Sequence, residues 1–433
     1  MAKKKDLKVE LHAHSNGSSD GIYSIDEMIS MASKQGVEYL AITDHNTYSE
    51  IRKFYTKNGF DLNSPLVEKD GVKIIPGVEV TCRVGEIKNL SGNSTKLHIL
   101  LYGGDMSPNS PISRLLEYKR KNDLDCDIGM LRDLLYSRGY HNISEDEIRA
   151  YIRYQRLNSD SGFSSFGKKD VWNFLQQKGI TIASSYKQLC EIISTLPKYE
   201  RLNIDFSKLL EVAHASGCEV YVAHLALNAE RTAYVPQLLD FLVQRVDGFE
   251  MVYPQANDQI RLMLLDSIKN NKREGEISFS GGTDFHDASH GEVMGQLGTR
   301  RLTANMFPTF FDNLNDLVGA RAQGKLSHRV YNIDMDSIDD YLKYIVDDYK
   351  RIMANSNTDM SHYKTLKAIK KRLKKEAKAK AKSESAGIIA KAANKKIREK
   401  SKSEWDDFNA RKKNGVNALG VNGRNRDDGY SPR

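Results

Sequence analysis

Short apolar runs that break off at a histidine or a carboxylate recur along this chain, and that recurrence limits its fold more than any other feature. The first run, Val9-Glu10-Leu11-His12-Ala13-His14, gives way to a Gly/Ser/Asn loop carrying Asp20. Residues i and i+2 of a strand share a face, so His12 and His14 present two imidazoles side by side where the strand ends. That is ligand geometry for a metal, placed where parallel α/β folds put their chemistry.

The pattern repeats. Ser24-Ile25-Asp26-Glu27 reads as a capping box opening a helix through Met28, Ile29 and Ala32, with Gly36 as its stop. The buried run Tyr39–Thr43 then ends in Asp44-His45. A strand-loop-helix-strand order implies a right-handed crossover and a parallel sheet or barrel. The run Val72–Val80 delivers Glu79 past Pro76-Gly77, and Leu97–Tyr102 carries His98 after a short polar turn. Residues 105–200 change character to helical and polar, with a second capping box at Ser144–Glu147, and read as an insertion. The earlier rhythm then resumes. Glu219–Ala223 leads to His224, Gly248–Val252 forms a further strand, and Ile277–Ser280 runs out into Gly281-Gly282-Thr283-Asp284-Phe285-His286.

No apolar run approaches the roughly 18 residues of a membrane span, and the basic N-terminus leads into a strand rather than a signal core. A soluble, cytoplasmic protein without membrane contact is expected. Cys82, Cys126, Cys190 and Cys218 are scattered without C-x-x-C pairing, which argues against a disulfide framework or a zinc ribbon. The net charge of +8 is uneven: residues 361–433 hold 22 Lys/Arg against 8 Asp/Glu, a net of +14, leaving the preceding part at −6. This Lys/Ala-rich tail is either a solvated, partly helical or disordered extension or an electrostatic nucleic-acid contact.

Strand ends and their loops thus supply His12, His14, Asp20, His45, Glu79, His98, His224, Asp284 and His286. A histidine/carboxylate set without cysteine favours Zn²⁺, Mn²⁺ or Fe²⁺ over a structural zinc site, and nine ligands suit two or three ions. The series His-x-His, Ser-Asp-Gly, Thr-Asp-His, Pro-Gly-x-Glu, a strand histidine, Ala-His and Gly-Thr-Asp-Phe-His resembles the PHP (polymerase and histidinol phosphatase) superfamily over roughly 7–104 and 200–300. The resemblance implies a distorted (β/α)₇ barrel with a trinuclear metal centre at its mouth. By position, His12, His14, Glu79 and Asp284 would hold one ion. Glu79 would bridge to a second with His98 and His224, and Asp20, His45 and His286 would hold a third. The family's usual Ala-His-Pro is Ala223-His224-Leu225 here.

The resulting organisation is a barrel over 1–104 and 201–300, a helical insertion over 105–200, a globular segment over 301–360 and the basic tail over 361–433. Within the superfamily, the insertion and the stretch 207–224 resemble the group of nucleoside 3′,5′-bisphosphate phosphatases and 5′→3′ exoribonucleases. That implies a phosphatase or exonuclease acting on a nucleotide or nucleic acid through metal-activated water. Glu79, Asp284 and His286 are its candidate catalytic residues; metal-bound water is the first choice for protonating the leaving group, ahead of His286 or His290 as general acid. Arg83, Lys168 and Lys169 are candidate phosphate-binding cations; Gly167-Lys168-Lys169-Asp170 stands where the group tends to have Gly-Arg-Pro-His. The alternatives are a nucleic-acid-binding accessory protein and a histidinol-phosphatase-like enzyme.

Overall fold

The computed structural model describes residues 6–157, 167–196, 199–229, 232–288 and 292–358; the basic tail and His290 lie outside them. Strands β1 (Lys8–Ala13) and β2 (Val37–Ile42) flank helix α1 (Ile25–Lys34). Helix α2 (Ser49–Lys57) and the short β3 (Val67–Lys69) lead to the long β4 (Val72–Lys88) and β5 (Ser94–Tyr102). Four helices follow: α3 (Pro111–Ser137), α4 (Glu145–Leu157), α5 (Lys168–Gln177) and α6 (Tyr186–Ser194). Then come α7 (Phe206–Ala215), β6 (Glu219–Val222), α8 (Leu225–Ala229), α9 (Val235–Val243), β7 (Gly248–Val252), α10 (Asp258–Asn270) and β8 (Ser278–Gly281). A two-residue hairpin, β9 (Gln296–Leu297) and β10 (Arg300–Arg301), precedes α11 (Pro308–Ala322) and α12 (Met335–Thr358).

The capping box at α1 forms as the sequence predicts: Ser24 Oγ accepts from Glu27 N, and Ser24 N donates to Glu27 Oε2. The main sheet runs β1-β2-β4-β5-β6-β7-β8, with β3 beside β4. Its strands read as continuous apolar runs because both faces are covered. Leu40, Ile42, Ile74, Ile99, Leu101, Val220 and Val222 pack into a core with the flanking helices. The alternating residues Ala41, Ile75, Leu100, Tyr102 and Tyr221 pack instead with Phe307, Phe310 and Leu314 around α11.

The expectation of an all-parallel sheet is corrected. β1–β2, β2–β4, β6–β7 and β7–β8 pair in parallel, but β5 runs antiparallel to both β4 and β6. The reason is local: Asn89–Asn93 closes a tight turn, with Asn89 N on Asn93 O and Gly92 at φ 75°. A parallel pair needs a crossover of a dozen or more residues, which this link does not have. At the other end of the order, Ala13 forms an isolated parallel bridge with Phe285, just beyond β8.

The described residues between 105 and 200 include helices α3–α6, which share a core of their own in which Leu131, Leu134 and Leu135 of α3 meet Ile148, Phe174, Leu175 and Leu189. The two cores divide within α3, since Ile112, Leu115 and Leu116 belong to the main one. At the start of β6 and β7 two carboxylates are buried together. Asp247 accepts from Val220 N (2.9 Å) and Tyr331 OH (3.1 Å) and meets His214 Nε2 (3.0 Å), whose ring stacks on Tyr331. Arg329 lies 3.3 Å from Glu219 and 3.5 Å from Asp247, pinning the segment before α12 to the end of the sheet. Burial and the Asp247 charge push the Glu219 carboxyl up to about 8. No described helix is long and apolar enough to cross a membrane.

Candidate metal centre

All nine strand-end residues singled out in the sequence come together. They fall into three groups whose donor atoms lie within 4.8 Å of one another: His12, His14, Glu79 and Asp284; Glu79, His98 and His224; His14, Asp20, His45 and His286. Backbone architecture explains the convergence. His12 and His14 lie at the end of β1, and the strand passing Asp284–His286 is held there by His14 N on Phe285 O (2.8 Å) and Phe285 N on His12 O (3.2 Å). Glu79 pairs with Leu100 across the β4–β5 ladder, which makes His98 its diagonal neighbour on the same face. Three non-glycine residues of this rim, Asn46, His224 and Asp284, occupy the left-handed region at φ 51°, 27° and 54°. Such conformations cost on the order of 1–3 kcal/mol each and persist only where the surroundings impose them. At Asn46 the constraint is visible: its N donates to Glu79 O (2.8 Å) and its Oδ1 accepts from Thr81 N (3.0 Å).

The interatomic distances fit divalent cations. His12 Nε2 and His14 Nε2 face each other at 3.1 Å, and Asp284 Oδ1 lies 3.2 and 3.1 Å from them. Glu79 Oε2 is 3.5 and 3.4 Å from the same two nitrogens. Ligands about 2.0–2.2 Å from a tetrahedral ion stand roughly 3.3 Å apart, so this spacing is that of a ligand shell. Glu79 Oε1 meets His98 Nδ1 (2.7 Å) and His224 Nε2 (2.8 Å). His224 Nδ1 is buried without a hydrogen-bond partner, and Glu79 Oε2 is buried with imidazole nitrogens around it, His45 Nδ1 lying nearest at 2.9 Å. Buried polar atoms are rarely left so, and two ring nitrogens facing each other cannot both carry protons.

The imidazoles are oriented from behind. His12 Nδ1 is 3.0 Å from Glu250 Oε1, and His14 Nδ1 is 3.1 Å from Ser18 Oγ. A tautomer that donates Nδ1–H to these oxygens turns the Nε2 lone pair toward the shared space. Burial and the neighbouring His45 hold the His14 imidazole down to about 3, the neutral form a metal requires. Burial also opposes charge on His12, but Glu250 and Asp284 outweigh it and raise its pKa. Burial disfavours the Glu79 anion too, yet His45 and His98 hold its carboxyl well below the usual range.

Sequence reading passed over several supporting residues. Glu250 reaches both His12 and, through Oε2, His224 N (2.6 Å). Glu10 accepts from His12 N (3.0 Å), Thr283 N (2.9 Å) and Gly295 N (2.7 Å), tying β1 to the Asp284 loop. Asp44 accepts from Ser15 N (2.7 Å) and Ser15 Oγ (2.6 Å), fixing the loop that bears Ser18 and Asp20. A carboxylate in an otherwise apolar strand was the available signal for Glu250, and i, i+2 spacing before His12 was the signal for Glu10.

The cations expected to meet phosphate are placed differently from one another. Arg83 is tied to Asn203 Oδ1 (2.8 Å) and Ser94 O (3.2 Å) and lines a cavity beside Asn46 and Thr81. Lys168 is exposed in the first turn of α5, and the side chain of Lys169 lies outside the described ones. The cations that share a cavity with His45 and His98, about 250 Å³ in volume, are Lys96, Arg120 and Arg201. Arg201 is held by Asp123 (3.2 Å) and Asp127. Gly167, the N-cap of α5, joins this wall; a Cβ there would come within 2.8 Å of Ser19 Cβ.

Comparison with known proteins shows the family. The PHP domain family model matches residues 10–383. A 5′-3′ exoribonuclease of Haemophilus influenzae is 35% identical over 292 residues, which are 64% of this chain and 90% of that protein. The DNA polymerase/3′-5′ exonuclease PolX of Bacillus subtilis is 34% identical over 79 residues, 17% of this chain and only 14% of that protein. Among solved structures, one from Bifidobacterium adolescentis assigned as a metal-dependent phosphoesterase aligns with a TM-score of 0.49 at 19% identity, covering 69% of this chain and 93% of that one.

Proposed function

The chain belongs to the PHP domain family of metal-dependent phosphoesterases, and on that footing we propose that it hydrolyses a phosphate ester of a nucleotide or nucleic acid at a centre of two or three divalent ions. The observation that carries this reading is the facing pair His12 Nε2 and His14 Nε2 with Asp284 Oδ1 and Glu79 Oε2 at ligand spacing around them. Such donors would suit Mn²⁺, Zn²⁺ or Fe²⁺, whose contribution when bound would be to acidify water and to withdraw charge from phosphoryl oxygens.

The chain's own groups have distinct tasks. His12, His14, Glu79 and Asp284 would hold one ion, and Glu79 would be shared with a second site completed by His98 and His224. Asp20, His45 and His286 would serve a third, with His14 at its edge. His286 Nδ1 lies 2.5 Å from Asp284 O, leaving Nε2 turned toward Asp20 at 3.6 Å; we assign it to ion binding rather than to proton donation. Glu79 and Asp284 keep fixed negative charge beside the reacting phosphate. Lys96, Arg120 and Arg201 take up phosphate oxygens on the His45–His98 side, where guanidinium and ammonium groups suit polyanionic substrates. This cationic wall favours a nucleotide or nucleic acid over histidinol phosphate, and the family's exoribonuclease-named relative points the same way. The basic tail adds a nucleic-acid contact whose affinity falls steeply with salt.

The test is purification without added metal, elemental analysis, and a phosphate-release screen with Mn²⁺ over a nucleoside 3′,5′-bisphosphate, short RNA, short DNA and histidinol phosphate. Wild type releases phosphate or mononucleotide from at least one nucleotide substrate, and His14→Ala loses metal content and activity together. Turnover confined to histidinol phosphate, or an active His14→Ala protein, refutes the reading.

A further inference from the structure

A second cavity opens on the donor cluster from its Asp284–His286 side. It has a volume of about 470 Å³ and is walled by Pro254, Gln255, Gln296 and Leu297. Its size lies within the range of small-molecule sites, about 300–1,000 Å³. None of its described lining residues is a lysine or arginine, and it shares none with the cavity of Lys96, Arg120 and Arg201. Its charged lining residues are the carboxylates Asp284 and Glu292 with His286, whereas the other flank carries Lys96, Arg120 and Arg201 beside Asp123 and Asp127, so the two flanks of the centre differ in the sign of their charge. Phosphate oxygens are drawn to the cationic flank, and an uncharged part of the substrate suits the other.

The second flank offers what a flat heterocycle needs. Pro254 and Leu297 supply apolar surface, while Gln255 and Gln296 supply amide donors and acceptors. Gln296 Nε2 donates to Gly298 O at 2.9 Å, which fixes the amide and leaves its carbonyl and second N–H for a partner. Gln255 stands two residues after buried Tyr253, whose hydroxyl accepts from Ala226 N at 2.6 Å, so the root of its loop is anchored. A carboxamide matches the adjacent acceptor and donor of adenine in a bidentate pair.

We infer that this cavity takes the nucleobase of the substrate, with Gln255 and Gln296 as the residues that read its edge and adenine as the base they favour. The inference rests on the phosphoesterase reading above, so its test uses binding in addition to turnover. Full-length protein as purified, with its metal retained, is titrated calorimetrically with adenosine 5′-monophosphate and with ribose 5-phosphate, which lacks only the base, and both ligands are checked by chromatography for hydrolysis. Wild type binds the adenylate more tightly. Combining Gln255→Ala with Gln296→Ala weakens adenylate binding about tenfold, as expected for the loss of two neutral hydrogen bonds, and leaves ribose 5-phosphate binding unchanged. Gln255→Ala alone, at an exposed position, gives a smaller loss in the same direction and guards against misfolding of the double variant. Equal binding of the two ligands by wild type, or equal weakening of both by the variants, overturns the inference. Phosphate release by the Mn²⁺-loaded wild type is scored separately: preferential adenylate binding without any turnover keeps the base site and removes the phosphoesterase reading.

Discussion

Glu250→Gln tests how the site is built. Glu250 Oε1 lies 3.0 Å from His12 Nδ1, and its Oε2 accepts from His224 N at 2.6 Å, with the side chain 1% exposed. The glutamine has the same shape but one acceptor fewer. If its NH₂ turns to His224, a buried backbone N–H is left facing a donor, at a cost of about 1–3 kcal/mol. If it turns to His12, Nδ1 must accept, the ring proton moves to Nε2, and His12 ceases to be a ligand. Either orientation also gives up a charge-assisted bond of about 1.5–3 kcal/mol. Loss of a partner that orients a metal-binding imidazole typically lowers metal affinity about 10–100-fold. The assay is Mn²⁺ titration against a competing chelator, with a thermal melt of the metal-free protein. Both affinity and melting temperature should fall. Wild-type Mn²⁺ affinity in Glu250→Gln would refute the argument that Glu250 sets the His12 tautomer.

Gly282→Ala places a Cβ 2.4 Å from His12 Cβ and 2.6 Å from His12 N, so β1 must shift; calorimetric melts should show a loss of about 1–3 kcal/mol, with weaker Mn²⁺ binding. Replacing Lys96 and Arg120 by alanine together should raise KM for the best nucleotide substrate at least about tenfold, with kcat little changed, as steady-state kinetics will show. Glu219 should make stability fall with rising pH. Its folded-state pKa of about 8 exceeds the ordinary 4.5, so the folded protein keeps a proton that the unfolded chain releases. The contribution is full below pH 4.5 and lost as pH rises through 8; denaturant titrations across that window should slope less steeply in Glu219→Gln.

Much of this was legible in the sequence for a plain reason. Strand-end histidines and carboxylates announce themselves against apolar runs, and i, i+2 spacing fixes the face of pairs such as His12 and His14, so the convergence of the nine could be read from one dimension; the grouping of His12, His14, Glu79 and Asp284 came from the resemblance to the PHP superfamily. The α1 cap was equally readable, because its interactions span three residues. Strand direction was missed where the signal was present: the five-residue turn Asn89–Asn93 is a hairpin link, and it reverses β5 within a sheet expected to be parallel. The cations were beyond reach. Arg83 was chosen for its nearness to Glu79 in the chain, whereas Lys96, Arg120 and Arg201 reach His45 and His98 from β5, α3 and the segment before α7. That grouping exists only once the helices have packed. Glu250 is intermediate: its position was readable, but its purpose depends on His12 and His224, which lie far from it in the chain.

The bridge between Ala13 and Phe285 lends the centre a mechanical role. His12 and His14 stand on one lip of that seam and Asp284 and His286 on the other, His14 and Asp284 being 270 positions apart. A cation gripped from both lips acts as a rivet, and its binding free energy becomes part of what keeps the chain shut. An ion held there would thus tighten the join where β1 meets the segment beyond β8, and its removal would slacken that join as well as silence the chemistry.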